Sequence, residues 1–131
     1  MEILIADDHA NVRRGLREIL LDAFSDAHFS EASNGDEVLA QLAYSQPDLL
    51  LLDINMPGRS GFEVLKDVKI TYSKIPVIMV SVQSESQYAL RCFRAGASEY
   101  VNKNNASDEL VPAIRKIMDA GPMLARIQTA K

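Results

Sequence analysis

Short apolar runs alternate with amphipathic stretches along the chain, and that alternation predicts repeated βα units. Ile3-Leu4-Ile5-Ala6 is too short and too continuous for an amphipathic helix and predicts a strand, after which Val12, Leu16, Ile19, Leu20 and Phe24 recur at helical intervals. A weaker strand is expected near His28 to Glu31, followed by a helix opened by Asn34-Gly35-Asp36 that carries Val38, Leu39 and Leu42 on one face. Leu49 to Leu52 then run straight into Asp53 and the turn at Pro57-Gly58. Phe62, Leu65 and Val68 mark a third helix, and Pro76 introduces a strand from Val77 to Val80. Ser84 with Gln87 reads as a capping box for a fourth helix that buries Ala89, Cys92 and Phe93 and stops at Gly96. Glu99 to Asn102 predicts a brief strand, and Leu110, Val111, Ile114, Ile117 and Met118 a last helix ending at Gly121-Pro122. Pro112 would remove a hydrogen bond from a helix begun at Ser107, so a later start or a local kink is expected.

Strands and helices in strict alternation imply an open parallel sheet covered on both faces, with central strands reading as unbroken Val, Ile and Leu runs. Ligands of such sheets sit outside the carboxyl ends of the strands, at the switch point of the strand order. The residues just past each strand are Asp7 and Asp8, then Asp53, then Ser81, then Lys103. Carboxylates gathered there repel, by about 4 kcal/mol for a pair at 4 Å and an effective dielectric near 20. Lys103 offsets part of this, and an all-oxygen set with room for water and phosphate oxygens suits magnesium. With both cations present Asp53 stays ionised and nucleophilic, and phosphoryl transfer to it rests on positioning and charge neutralisation.

Composition narrows the partners. The 131 residues are 47% hydrophobic and close one core. A net charge of −4 leaves no electrostatic footprint for a polyanion, so any DNA contact is expected to belong to another segment. Cys92 is the single cysteine and cannot form an internal disulfide. No apolar run approaches the roughly 18 residues of a membrane span, and MEILIADDH lacks the basic start and cleavage site of a signal peptide, so a cytoplasmic protein is expected.

AlaAspAspHis at 6 to 9, LeuAspIleAsnMetPro at 52 to 57, Ser81 after an apolar strand, GlyAla at 96 to 97 and TyrValAsnLys at 100 to 103 together resemble a response-regulator receiver domain of two-component signalling. DDHANVRRGLREIL and RAGASEYVNK resemble the NarL/FixJ-like subfamily, whose receivers usually precede a helix-turn-helix DNA-binding domain. The resemblance implies a flavodoxin-like (βα)5 three-layer sandwich with strand order 2-1-3-4-5. It implies Asp53 as phosphoacceptor for a sensor histidine kinase, and Mg2+, with Mn2+ as an alternative, held by the Asp8 and Asp53 side chains and the Asn55 backbone carbonyl. Asp7 would act largely through water on the metal, Lys103 would pair with a phosphoryl oxygen, and the Ser81 hydroxyl would move towards the phosphate with Tyr100 as the coupled aromatic switch. Residues 1–121 would form the receiver and residues 122–131 a linker or tail leading to an output domain outside this sequence. Homodimerisation on phosphorylation is a further expectation, through the fourth and fifth or the first and fifth helices.

The chain departs from the family at Asn104, where a proline in a cis peptide is common; without proline such a bond costs roughly 2.5–4 kcal/mol and is not expected. Asn55 and Gln83, two positions past Asp53 and Ser81, would flank the phosphate and tune its hydrolysis. Outside the site, His9 is expected at the helix start facing solvent, Cys92 in the core, and Arg13, Arg14 and Arg17 on a solvated helix face. An enzyme and a cofactor-binding module use related architecture or groups. A haloacid-dehalogenase-like phosphatase would carry its nucleophile after the first strand with a second aspartate two positions on, where this chain has Asn55 after the third. A flavin module would need a Ser, Thr and Gly phosphate loop after the first strand. A stand-alone receiver is the nearer alternative to a transcription regulator.

Overall fold

The computed structural model describes residues 1–129 apart from 84, with side chains described except at 84–87 and from 120 onward. The elements run β1 (Glu2–Ala6), α1 (Ala10–Ala23), β2 (His28–Ala32), α2 (Gly35–Tyr44), β3 (Leu49–Asp53), α3 (Gly61–Thr71), β4 (Val77–Ser81), α4 (Glu85–Arg94), β5 (Glu99–Asn102), a 3-10 turn (Lys103–Asn105) and α5 (Ala106–Thr129). All the strands pair in parallel in the order β2-β1-β3-β4-β5, the flavodoxin-like arrangement expected. The order reverses between β1 and β3, so the loops after those two strands open onto the same crevice.

Successive side chains of a strand point to opposite faces, and each face here is covered. Ile3, Ile5, Leu49, Leu51, Ile78 and Val80 pack with Leu16 and Leu20 of α1 and Leu110 and Ile114 of α5. Leu4, Leu50, Leu52, Val77 and Met79 pack on the other face with Val38 and Leu42 of α2, Val64, Leu65 and Val68 of α3, and Cys92 of α4. β3 and β4 are buried at every position, which is why their sequences lack polar alternation. β2 lies at the edge with alternating burial, and runs one residue further than predicted, to Ala32.

Helix starts follow their caps. Asn34 accepts from the Glu37 amide at 2.9 Å, and the Glu37 carboxylate reaches back to the Ser33 amide at 3.1 Å, a reciprocal cap. Ser60 accepts from the Glu63 amide at the start of α3. The predicted Ser84–Gln87 box lies outside the described residues. Gly96, at φ +110, supplies the left-handed turn after α4 that few other residues tolerate.

Three expectations need correction. Phe93 is 44% exposed, since α4 turns Cys92 and part of Ala89 towards the sheet and the position next to Cys92 rotates some 100° away. α5 begins at Ala106, before Pro112, and the expected later start is not seen; Pro112 and Asp108 are both exposed, so water can serve the Asp108 carbonyl that loses its amide. α5 also continues through Gly121-Pro122 to Thr129.

Leu51 is 1% exposed at the centre of the sheet. Leu51→Ala is expected to lower unfolding free energy by about 2–5 kcal/mol, read as a reduced urea midpoint with an unchanged slope.

Candidate functional site

The strand register brings the polar residues of the carboxyl edge together. Ala6 pairs with Leu52, Leu52 with Met79 and Met79 with Tyr100, so Asp7, Asp53, Ser81 and Lys103 all follow one line across the ends of β1, β3, β4 and β5. Asp7 and Asp53 are 1% and 2% exposed, unusual for carboxylates. The Lys103 ammonium lies 2.6 Å from Asp7 Oδ2 and 3.3 Å from Asp53 Oδ1 and so bridges the two acids. Lys103 is placed by the 3-10 turn after β5, which Asn102 opens by accepting from the Asn104 amide. There is no cis peptide bond among the described residues, as expected with Asn104 in the place of proline.

Burial raises the Asp53 carboxyl above its ordinary range, and the Asp7 charge pushes it further; Lys103 and the Asn55 amide, which donates to Oδ1 at 3.3 Å, pull the other way. Burial acts to lower the Lys103 ammonium, but its contacts with Asp7 and Asp53 outweigh that and the net shift is upward. The two shifts have one cause: two acids and a base share a pocket largely cut off from water.

Asp8 stands on the outer side of this arrangement. Asp7, Asp8 and His9 each offer a ligand atom within 4.8 Å of the others, and Asp53 lies outside that triplet, linked to it through Asp7 and Lys103. His9 is exposed as expected, but its Nδ1 also lies 3.0 Å from Asp8 Oδ1 and 3.3 Å from Asp7 Oδ1, contacts that a helix-start reading missed. Asp7 and Asp8 offer hard oxygen donors within reach of one ion, and among the described residues Asp7 Oδ2 is buried with no hydrogen-bond donor apart from its charge contact with Lys103. Both features fit a divalent cation such as magnesium. The Asn55 side chain is exposed, and its amide is tied to Asp53.

Ser81 is fully buried, and its Oγ accepts from the Gln83 amide at 3.1 Å. Tyr100, packed in the core beneath α4, donates its hydroxyl to the Gln83 carbonyl at 3.3 Å. The two residues singled out as a switch therefore hold opposite sides of one residue in the loop after β4. Gly61 borders the site, a position the motifs do not mark. A Cβ there would lie 1.8 Å from the Asp53 carbonyl oxygen, and the Gly61 amide donates to Ile54, so α3 starts hard against the backbone that presents Asp53.

The sequence family described as response regulator receiver domain matches residues 3–115, and the chain belongs to it. It is 32% identical over 117 residues to response regulator UvrY of Escherichia coli (strain K12), covering 89% of this chain and 54% of that protein. It is equally similar, 32% over 117 residues, to response regulator GacA of Pseudomonas aeruginosa, covering 89% of this chain and 55% of that protein. The chain thus spans about half the length of the curated relatives it matches. Among solved structures, a two-component response regulator of the LuxR family from Aurantimonas sp. SI85-9A1 superposes with a TM-score of 0.83 at 30% identity, over 91% of this chain and 85% of that one. A CheY-like receiver domain protein from Methanospirillum hungatei JF-1 gives 0.81 at 26% identity, over 91% and 94%. These relatives agree with the NarL/FixJ-like branch that the motifs suggested. The chain carries the receiver domain of two-component response regulators, a signalling domain, and the phosphatase and flavin readings are left without support.

Because the folded protein raises the Asp53 carboxyl, an ionised Asp53 costs stability, and the cost builds as pH rises from the unfolded-state value and is complete once pH has passed the folded-state value. In chelator, Asp53→Asn is expected to melt above the parent at pH 7, with the gap closing below about pH 4, where the carboxyl of the unfolded chain also becomes protonated. Melting curves across pH check this, and a gap independent of pH would contradict it.

Proposed function

We propose that Asp53 accepts a phosphoryl group from a sensor histidine kinase, and that the new charge reorders the loop after β4 to control an output. The observation that carries this reading is the Lys103 ammonium held between the buried carboxylates of Asp7 and Asp53. An Asp53 oxygen would attack phosphorus; the bond to Asp53 forms as the bond to the donor's imidazole nitrogen breaks, and that nitrogen keeps the electron pair. The transfer needs little covalent help and much charge stabilisation. Lys103 would turn from Asp53 to a phosphoryl oxygen while keeping Asp7. Mg2+, or Mn2+, bound by Asp8, Asp53 and the Asn55 carbonyl beside Asp7, would neutralise the remaining charge.

The hydroxyl of Ser81 would then leave the Gln83 amide for a phosphoryl oxygen. The Gln83 amide is then released, the loop shifts, and the Tyr100 contact with the Gln83 carbonyl breaks. A ligand moves such an equilibrium only through contacts that differ between the two states, and the Ser81–phosphoryl contact exists in one alone. The face that changes includes α4, whose Leu90 and Phe93 are exposed, and it would serve a second copy of the chain or an output domain.

Residues 1–121 would form the receiver, with residues 122–131 leading on to a helix-turn-helix DNA-binding unit beyond this sequence, in a cytoplasmic transcription regulator. The acidic balance of this segment and the half-length match to UvrY and GacA support that division. With magnesium and a small acyl- or amido-phosphate, intact-mass analysis is expected to show one phosphoryl adduct on the parent and none on Asp53→Asn; equal labelling of both would overturn the assignment.

A further inference from the structure

Arg13 stands apart from the neighbouring basic residues of α1. Arg14 is exposed, whereas the Arg13 side chain is 16% exposed and turned back along the helix towards the loop after β1. Its Nη1 donates to the Asp7 backbone carbonyl at 2.6 Å, and its Nε donates to Glu31 Oε1 at 2.7 Å. The second Glu31 oxygen accepts from Arg17 at 3.1 Å, and the Glu31 carbonyl accepts from Gln41 Nε2 of α2 at 2.7 Å. Guanidinium and carboxylate thus tie α1 and the acidic loop to the edge strand β2, which α2 holds in turn.

The Asp7 peptide is fastened on both sides: its amide donates to the Ala32 carbonyl at 3.0 Å, and its carbonyl accepts from Arg13. Its Oδ1 accepts from the His9 amide at 2.9 Å. The carbonyl of Asp7 belongs to the peptide that joins it to Asp8, so the Arg13 contact sets the direction in which both carboxylates leave the chain.

We infer that Arg13, oriented by Glu31, is a positioning residue for the cation pocket: it fixes the Asp7–Asp8 peptide so that the two carboxylates meet a divalent ion in a ready-made geometry. The inference rests on the pocket described under the proposed function. Groups that orient metal ligands without touching the metal are commonly worth 10–100-fold in affinity. The sign of the effect separates positioning from charge. Removing a nearby positive charge would by Coulomb's law strengthen cation binding, whereas loosening the loop weakens it.

Magnesium titration by calorimetry reads the affinity without relying on phosphorylation. Arg13→Ala is expected to raise the dissociation constant about tenfold. Arg13→Lys should recover part of that loss, since one ammonium reaches either the carbonyl or Glu31 but lacks the fork that spans both. Glu31→Gln added to Arg13→Ala should cost little more, because the two side chains act as one unit. If Arg13→Ala fails to fold, Arg13→Lys carries the test: binding weaker than the parent supports the inference and parity overturns it. Parental or tighter magnesium binding by Arg13→Ala, alongside loss of binding in Asp8→Asn, overturns the role of Arg13 and leaves the pocket standing. Parental binding by Asp8→Asn overturns the pocket, and this inference with it.

Discussion

Asp7 and Asp53 end adjacent parallel strands with their carboxylates out of water, and the ammonium of Lys103 lies between them. Two buried like charges at strand ends would ordinarily be selected against, because desolvation and repulsion act together. Lys103 makes the pair tolerable, and the rest of the molecule is arranged to bring it there. β5 must lie beside β4, the 3-10 turn after β5 must aim the side chain back across the sheet edge, and the leucine-rich β3 must carry Asp53 to the same edge as Asp7. The two apolar faces of the sheet supply the rigidity, since a slip of one residue in any strand would exchange its two faces and remove its polar terminus from the line.

A pocket so balanced responds strongly to a change of charge. Hydrogen bonds tie the surrounding loops among the described residues: Ser81 and Tyr100 hold the amide and the carbonyl of Gln83, and the Asn55 amide holds Asp53. Such contacts contribute about 1 kcal/mol each and can be exchanged one for another. The acidic loop after β1 differs, with Asp7 fastened through amide, carbonyl and side chain. The fixed half of the site therefore faces β2 and α1, and the adjustable half faces α4 and β5, the side on which exposed Leu90 and Phe93 lie.

The alternation of strands and helices, most of their boundaries within a residue or two, and the polar line at the carboxyl edge were legible in the sequence because each follows from a local rule, whereas the strand order came with the family resemblance and α5 runs well past its expected end at Gly121-Pro122. Doubly buried strands read as unbroken apolar runs, and the residue after each strand is placed by topology alone. The misses involve relations that no local rule contains. Arg13 and Arg14 are alike as letters on a helix, and only the position of Glu31 on the neighbouring strand separates a bridging side chain from a solvated one. Gly61 follows a capping serine as many residues could, and the need for glycine appears only where α3 meets the Asp53 carbonyl. His9 reached two carboxylates through the turn of its own loop, although it lacks a second histidine at ligand spacing. Phe93 lies outside the core because spacing gives the face of a helix without saying how much of that face the sheet covers, and α5 starts before Pro112 because the proline faces solvent.

Lys103 is energetically coupled to the buried acids and is more than a surface cation near them. A double-mutant cycle measures this directly, with Lys103→Met and Asp53→Asn made singly and together and unfolding followed by urea in chelator at pH 7. Lys103→Met is expected to be strongly destabilising in the parent and much less so beside Asp53→Asn, a coupling of about 1–3 kcal/mol. Additive effects, with no coupling beyond about 0.5 kcal/mol, would contradict it.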